Sequence, residues 1–320
     1  MTLLLPKTHL RQNQGAEEAS PTYYEQPALK PSPWGWMVSG YMSIAGLAGS
    51  AQILATAADL AGGGKYAVIV RNGRYLAVAG VAIGAPLLIA DLRTPQRFYN
   101  MLRIFRPTSP MSVGTYVLVG FGACSAMLAA AQLRRDTGRG PAIVDAAGRT
   151  VALPAAALGA AMSTYTGALL GATSTPLWAA APRLIPALFG SSAVASAAAT
   201  LSLNSSREAS AVLDRIELLA SASELSLIWG LRRQLRLKGI ETKPAFAPLI
   251  LTAAAPLVRN LAPAITGPSR RATTPHTTKS HVVGVVVVLV GALLLRHAVL
   301  RAGNRSAQRP RDYFRLAQRR

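Results

Sequence analysis

Cysteine is nearly missing. Cys124 stands alone among 320 residues, which excludes an internal disulfide and any cysteine-based zinc or iron–sulfur site. Cys124 itself reads as a small core residue in an apolar helix. Histidine is scarce too: His9, His276, His281 and His297 fall in the N-terminal arm, in a loop or at the end of an apolar run. A b-type haem needs histidines on facing helices at the cofactor's depth, so neither haem nor metal is expected in this chain. There is no Walker loop, no dinucleotide glycine fingerprint and no nucleophile elbow. Acidic residues are few, 13 against 34 Lys and Arg, for a net charge of +21. A soluble nucleic-acid binder would spread that charge over a globular surface. Here 51% of residues are hydrophobic and the apolar stretches approach twenty residues, so nucleic acid is excluded and membrane lipid is the expected surroundings.

The apolar stretches set the expected fold: an all-α integral membrane protein of eight transmembrane helices, arranged as two four-helix bundles. A polar, proline-containing arm (residues 1–33) precedes a membrane domain (34–300), and a basic tail (301–320) follows. The spans are predicted near 34–60, 75–90, 113–133, 151–172, 182–203, 211–231, 246–265 and 282–299. Leu3-Leu4-Leu5 before Pro6 is too short for a signal-peptide core, so insertion is expected through the first span. Gly80 and Gly84, and again Gly167 and Gly171, form small-residue pairs suited to close helix approach. Eight spans place both termini on one side. Lys and Arg are in excess there when Arg71 and Arg74 are counted in one loop and Arg296 with the tail, which predicts cytoplasmic termini and a multi-pass protein of the inner (plasma) membrane.

Between the second and third spans lies DLRTPQRFYNMLRIFRPTSPMSVG, residues 91–114. It carries Asp91, Arg93, Arg97, Arg103 and Arg106 together with Pro95, Pro107 and Pro110. Phe98, Met101, Leu102 and Phe105 fall at i, i+3, i+4 and i+7. That spacing predicts a short amphipathic helix in the membrane interface, within a loop spanning 91–112. This stretch resembles the loop of the NrfD/PsrC family, the membrane anchor subunits related to polysulfide reductase, which reads D-L-G-R-P-x-R-F-x-N-M-L-R-x-F and then S-P-M-S-x-G. The departure is Arg93-Thr94 where Gly-Arg is usual. Tyr165-Thr166-Gly167 through Pro176-Leu177-Trp178 matches as well, and Trp34 through Gly49 more weakly.

The resemblance implies a quinone-reactive membrane anchor in a multi-subunit oxidoreductase. Its partners would be a ferredoxin-like four-cluster iron–sulfur subunit and a molybdopterin or tungstopterin catalytic subunit, with quinone or menaquinone bound transiently. The tyrosine of the Y-T-G stretch, here Tyr165, is associated with the family's quinone site. At ~1.5 Å of rise per residue, Tyr41 and Tyr165 lie ~10 Å below the same face, and Asp91 caps the second span at that face. Tyr165, Tyr41, Trp34, Trp36, Asp91 and Arg97 are therefore candidate quinone-binding residues. Each has a plainer reading: interface anchoring for the aromatic residues and helix-end solvation for Asp91.

A second set consists of ionisable residues inside the spans. Glu217 and Arg259 sit at equal depth on consecutive spans and are expected to pair. Glu224 has no evident basic partner, and Asp59 lies near the far end of the first span. An uncompensated charge at mid-span costs on the order of 2.5–3.5 kcal/mol, so partners or a water path are required. Asp59, Glu217, Glu224 and Arg259 read either as a proton path or as a polar network stapling the helices, and the network is favoured. Two other classes fit the same residues: a secondary transporter, from the proline-broken seventh span and its buried charges, and a purely structural membrane anchor.

Overall fold

The computed structural model describes residues 29–62, 64–92, 94–139, 143–240 and 278–317. The described residues form helices and their connections, with no strand among them. The helices in chain order are α1 (Trp36–Leu60), α2 (Ala67–Ala90), α3 (Asn100–Arg103), α4 (Pro110–Thr137), α5 (Ile143–Gly171), α6 (Pro176–Ala180), α7 (Leu184–Ser202), α8 (Arg207–Leu237), α9 (Thr278–Ala307) and α10 (Pro310–Ala317). Local chemistry explains several boundaries. The Ser109 hydroxyl accepts the Ser112 N–H at the head of α4, with Pro110 in the first turn, and Gly138 closes the helix at φ 67°. Ser206 caps α8 in the same way, accepting from the Ala209 N–H, with Glu208 in the first turn.

Among the described residues, six helices are long and apolar enough to cross a membrane: α1, α2, α4, α5, α7 and α9. They correspond to the first five expected spans and the eighth. The expected sixth span lies within α8, whose 31 residues are long enough, but Asp214, Arg215, Glu217 and Glu224 make it too polar to stand among the six. The expected seventh span, with Arg259, lies outside the described residues, and so does most of the N-terminal arm. α2 begins earlier than the apolar run suggested and takes in Arg71 and Arg74. Arg296 is not a tail residue either. It sits about three turns inside α9 and is 1% exposed. Moving these three arginines from loops into helices still leaves the terminal-side excess of positive charge.

α1 is the centre of the bundle and packs against α2, α5, α7 and α9. It does so because its inward positions are small: Ser39, Ala45, Gly46, Ala48, Gly49, Ser50 and Ala51 are all buried. The closest approach is to α5. A methyl group on Gly49 would run into the Gly159 carbonyl and stand 2.8 Å from Ser163 Oγ. Ser163 Oγ itself donates to the Gly46 and Gly159 carbonyls at 3.2 and 2.9 Å and meets Ser50 Oγ at 2.9 Å, so the contact is polar as well as close. The expected small-residue pairs do related work. Gly80 meets Ala48, Gly84 faces the Tyr41 ring, and Gly167 and Gly171 let α5 lie against Pro186 and Pro182.

The buried charges are compensated across helices. Arg74 donates to Asp59 at 2.7 Å and to Gln132 Oε1 at 3.0 Å, joining α2 to α1 and α4. Gln132 passes the chain of hydrogen bonds to Asp136 at 2.9 Å, and Asp136 accepts from Tyr75 at 2.8 Å. Asp59 is thus held in a network near the end of the bundle where Lys65 pairs with Glu208 at 2.9 Å. Glu224 does have a basic neighbour, contrary to the sequence reading. Arg296 of α9 faces it, and the Ser192 hydroxyl between them accepts from Arg296 Nη1 at 3.4 Å. Arg296 also donates to the Ala292 and Phe189 carbonyls at 2.9 and 3.0 Å and lies over the Phe189 ring. Glu217 is fully buried on the same face of α8.

Gly49→Ala should therefore force α1 and α5 apart and cost ~1–3 kcal/mol of stability, as overpacking typically does. Gly120→Ala is the control, because its added methyl meets only Leu158 at an ordinary 3.4 Å. Thermal unfolding of both variants in detergent should show the first lowered and the second unchanged.

Candidate functional site

The helix ends that meet around Asp91 enclose a cavity of about 250 Å³. Its walls come from five places. α1 supplies Val38, Tyr41 and Met42, and α5 supplies Tyr165, Thr166 and Leu169. The segment after α2 supplies Asp91, Leu92 and Met101. The start of α4 supplies Met111, Gly114 and Thr115, and Pro33 and Trp34 close the remaining side. The lining is mostly apolar, with two phenols, one carboxyl and two threonines.

Each tyrosine is held by its surroundings. Tyr41 is 4% exposed, beside Gly84, whose added methyl would stand 3.5 Å from its ring. The Tyr165 ring lies directly on the backbone of Gly114, in the space any larger residue's Cβ would occupy. Gly114 is the last glycine of the S-P-M-S-x-G stretch, so that position admits the ring. Buried tyrosine hydroxyls usually find a partner. Neither the Tyr41 nor the Tyr165 hydroxyl makes a hydrogen bond among the described residues, so both phenols remain available to a guest. Asp91 follows α2 directly and is half-buried, and that burial pushes its carboxyl above its ordinary value.

The Pro33–Trp34 wall is clamped from the other end of the chain. Asn304 Oδ1 accepts from the Ser32 N–H at 3.0 Å and from its hydroxyl at 2.8 Å, and Asn304 Nδ2 donates to the Ser32 carbonyl at 3.2 Å. Trp34 stacks on Trp178 with ring centroids 6.0 Å apart. Trp178 is fully buried, donates from Nε1 to the Val299 carbonyl at 3.0 Å and rests on Gly303. The P-L-W stretch is therefore the one-turn helix α6 that backs the wall.

Of the residues named from sequence, Trp34, Tyr41, Asp91 and Tyr165 come together. Two do not. Trp36 is 66% exposed on the outside of α1, and Arg97 is exposed on the outer side of its segment. The amphipathic helix expected between Pro95 and Pro107 is also broken. It is a 3-10 turn (Pro95–Arg97) followed by the single turn of α3. The carbonyls that would continue it are taken by α4: Tyr116 donates to Leu102 O at 2.8 Å and Ser112 Oγ to Ile104 O at 3.4 Å. Met101 consequently turns inward while Phe98, Leu102 and Phe105 stay exposed. Sequence reasoning missed Met42, Met101, Met111 and Gly114 as lining. The last three belong to the matched loop, and that match was the available signal.

Residues 26–306 match the family described as polysulphide reductase, NrfD. The chain belongs to the NrfD family. The match runs from before α1 almost to the end of α9 and leaves α10 outside. No curated protein matches. With six membrane-length apolar helices, this NrfD chain is a multi-pass membrane protein, consistent with the membrane anchor of a redox complex.

The contact between Gly114 and Tyr165 can be tested by a double-mutant cycle. Gly114→Ala should destabilise the chain, and the cost should largely disappear in a Tyr165→Ala background. A coupling of about 0.5–3 kcal/mol in the unfolding free energies is expected for residues in direct contact.

Proposed function

We propose that this NrfD chain exchanges electrons between a docked iron–sulfur protein and membrane quinone, in the cavity between Tyr41 and Tyr165. The observation that carries the reading is the convergence of two unpartnered phenols and a half-buried carboxyl on one apolar cavity at a helix-bundle end. A quinone ring needs an apolar slot, a donor for a carbonyl oxygen and a nearby acid–base group. At about 250 Å³ the cavity lies a little below the usual range for drug-sized ligands, which suits a ring and leaves a long apolar tail in the bilayer.

Quinol oxidation releases two electrons and two protons. The phenols of Tyr41 and Tyr165 orient the ring by donating to, or accepting from, its oxygens. Asp91 takes the two ring-hydroxyl protons one after the other and passes each to solvent at the helix end. The docked iron–sulfur subunit would supply the acceptor for the two electrons, and the reverse sequence would reduce quinone. Trp34, clamped by Asn304 and Trp178, excludes water from one side. Asp59, Glu217 and Glu224 serve the polar network of the membrane body and not a proton path.

Membership of the family supports a wider assembly. A ferredoxin-like four-cluster iron–sulfur subunit docks at the cavity end, and a molybdopterin or tungstopterin subunit lies beyond it. α8, with 31 residues, is long enough to add a further crossing to the six apolar helices. The excess of positive charge at the cavity end supports a cytoplasmic location for that end and both termini in an inner-membrane protein.

Tyr165→Phe should slow quinol turnover by the purified complex about tenfold, the equivalent of one hydrogen bond worth about 1.4 kcal/mol in the transition state. Asp91 must be ionised to accept a proton, so quinol oxidation should rise with pH through a step above the ordinary carboxylate range. Asp91→Asn should lower the rate and erase that step. Unchanged turnover in both variants would leave a structural anchor. The linkage sign for stability is opposite: a raised carboxyl binds more protons folded than unfolded, so its contribution falls as pH rises above its ordinary value.

A further inference from the structure

The segment between α2 and α4 has two faces, and the cavity uses only one. Leu92, Met101 and Met111 point in. Outside stand Arg97, Arg103 and Arg106, interleaved with Phe98, Tyr99, Leu102, Ile104 and Phe105, all exposed. We propose that this outer face binds the headgroups of anionic phospholipids in the leaflet that surrounds the cavity end.

Three observations support the assignment. The first is charge. The three guanidinium groups make no ion pair and no side-chain hydrogen bond among the described residues. The chain offers them little to pair with, since Asp91 is the only acidic residue between Asp59 and Asp136, and it turns inward to the cavity. Arginine's planar fork matches a phosphate bidentately, so phosphate-bearing headgroups supply the missing counter-charge.

The second is depth. α2 ends at Ala90 and α4 begins at Pro110, and both are of membrane-crossing length and composition, which fixes the segment at the boundary of hydrocarbon and water. Aromatic rings and arginine stems suit that layer, and Val119 continues the apolar face on the exposed side of α4. Anionic lipids attract such basic juxtamembrane residues.

The third is preorganisation. The segment is tied to α4 by the Tyr116–Leu102 and Ser112–Ile104 hydrogen bonds and by Ser112 Oγ accepting from the Arg106 N–H at 2.9 Å. Phe105 packs edge-on against Tyr116, with centroids 4.9 Å apart. The arginines are therefore displayed from a fixed scaffold. Because Met101 and Leu102 are neighbours on opposite faces, a headgroup bound outside also steadies the cavity wall. That last consequence rests on the proposed quinone site, whereas lipid binding does not.

The experiment uses the full chain with whatever subunits accompany it. After detergent purification, bound phospholipids are extracted and quantified by mass spectrometry. The wild type should retain phosphatidylglycerol or cardiolipin above its share of the membrane, and an R97Q/R103Q/R106Q variant should retain at least threefold less. A measurement on the wild type alone guards against a variant that fails to fold. In nanodiscs, its unfolding midpoint should be higher in phosphatidylcholine containing phosphatidylglycerol than in phosphatidylcholine alone, and free inorganic phosphate should not reproduce the rise. Equal anionic lipid in variant and wild type, or equal wild-type stability in the two bilayers, would overturn the proposal. So would loss of a copurifying protein from the variant with its phospholipid content unchanged, because the face would then belong to that protein. If lipid retention behaves as expected while Tyr165→Phe leaves quinol turnover untouched, the quinone reading fails and the lipid surface stands.

Discussion

The bundle depends on how thin its central helix is. α1 is covered by four other helices, and no helix with ordinary side chains on every face can be approached so closely by so many. Glycine, alanine and serine on its inward positions solve this. In a bilayer, apolar side chains gain little by leaving lipid for a neighbouring helix, so van der Waals contact and hydrogen bonds between close backbones supply the association. The Gly49–Gly159 approach, with Ser50 and Ser163 sharing a hydrogen bond beside it, is that principle in one place. The same thinness sets the site. Because α1 and α5 are locked together at Gly49, Tyr41 and Tyr165 above them reach one cavity instead of two faces of a looser bundle.

Thin helices leave room for large polar groups, and the chain uses that room twice. Over Gly46 lies the guanidinium of Arg296, and an added methyl there would stand 2.9 Å from its Nη2. Arg296 spends its donors on two carbonyls and Ser192, rests on the Phe189 ring and faces Glu224. Arg74 is treated alike, between Asp59 and Gln132. In both places removing one partner would strand a buried charge, which is far more costly than the pair is favourable. This supports reading the intramembrane charges first as a network that fixes how the helices sit.

What could be read from the residues divides along one physical line. Apolar runs report burial or lipid contact, so α1, α2, α4, α5, α7 and α9 were legible. The matched stretches report local shapes, and the loop led to Asp91 and the Y-T-G stretch to Tyr165, which do share a cavity with Tyr41 and Trp34. Direction around a helix axis was not legible. Trp36 and Trp34 are two residues apart, and one stacks on Trp178 while the other faces out. Arg97 looked like a site residue because it sits in the motif, yet it points away from the cavity. The period of Phe98, Met101, Leu102 and Phe105 promised a helix, but Pro107 lies just beyond, and Tyr116 and Ser112 take the carbonyls that helix would have used. Arg296 was overlooked as Glu224's neighbour because it lies about seventy residues along the chain, and spacing says nothing about contacts at that range.

The clamp at the cavity's edge shows why the chain's two ends must be considered together. Pro33 and Trp34 precede α1 and would have no reason to hold one position by themselves. Asn304 fixes Ser32 with three hydrogen bonds, and Trp178 stacks on Trp34 while donating to Val299. Gly303 makes this possible, since any side chain there would enter the Trp178 ring. The wall is therefore complete only after α9 has packed against α1, α6 and α7. The phenols meet through the α1–α5 contact, but the side of the cavity closed by Pro33 and Trp34 is finished only by α9, so the site joins the first membrane helix to one near the other end of the chain.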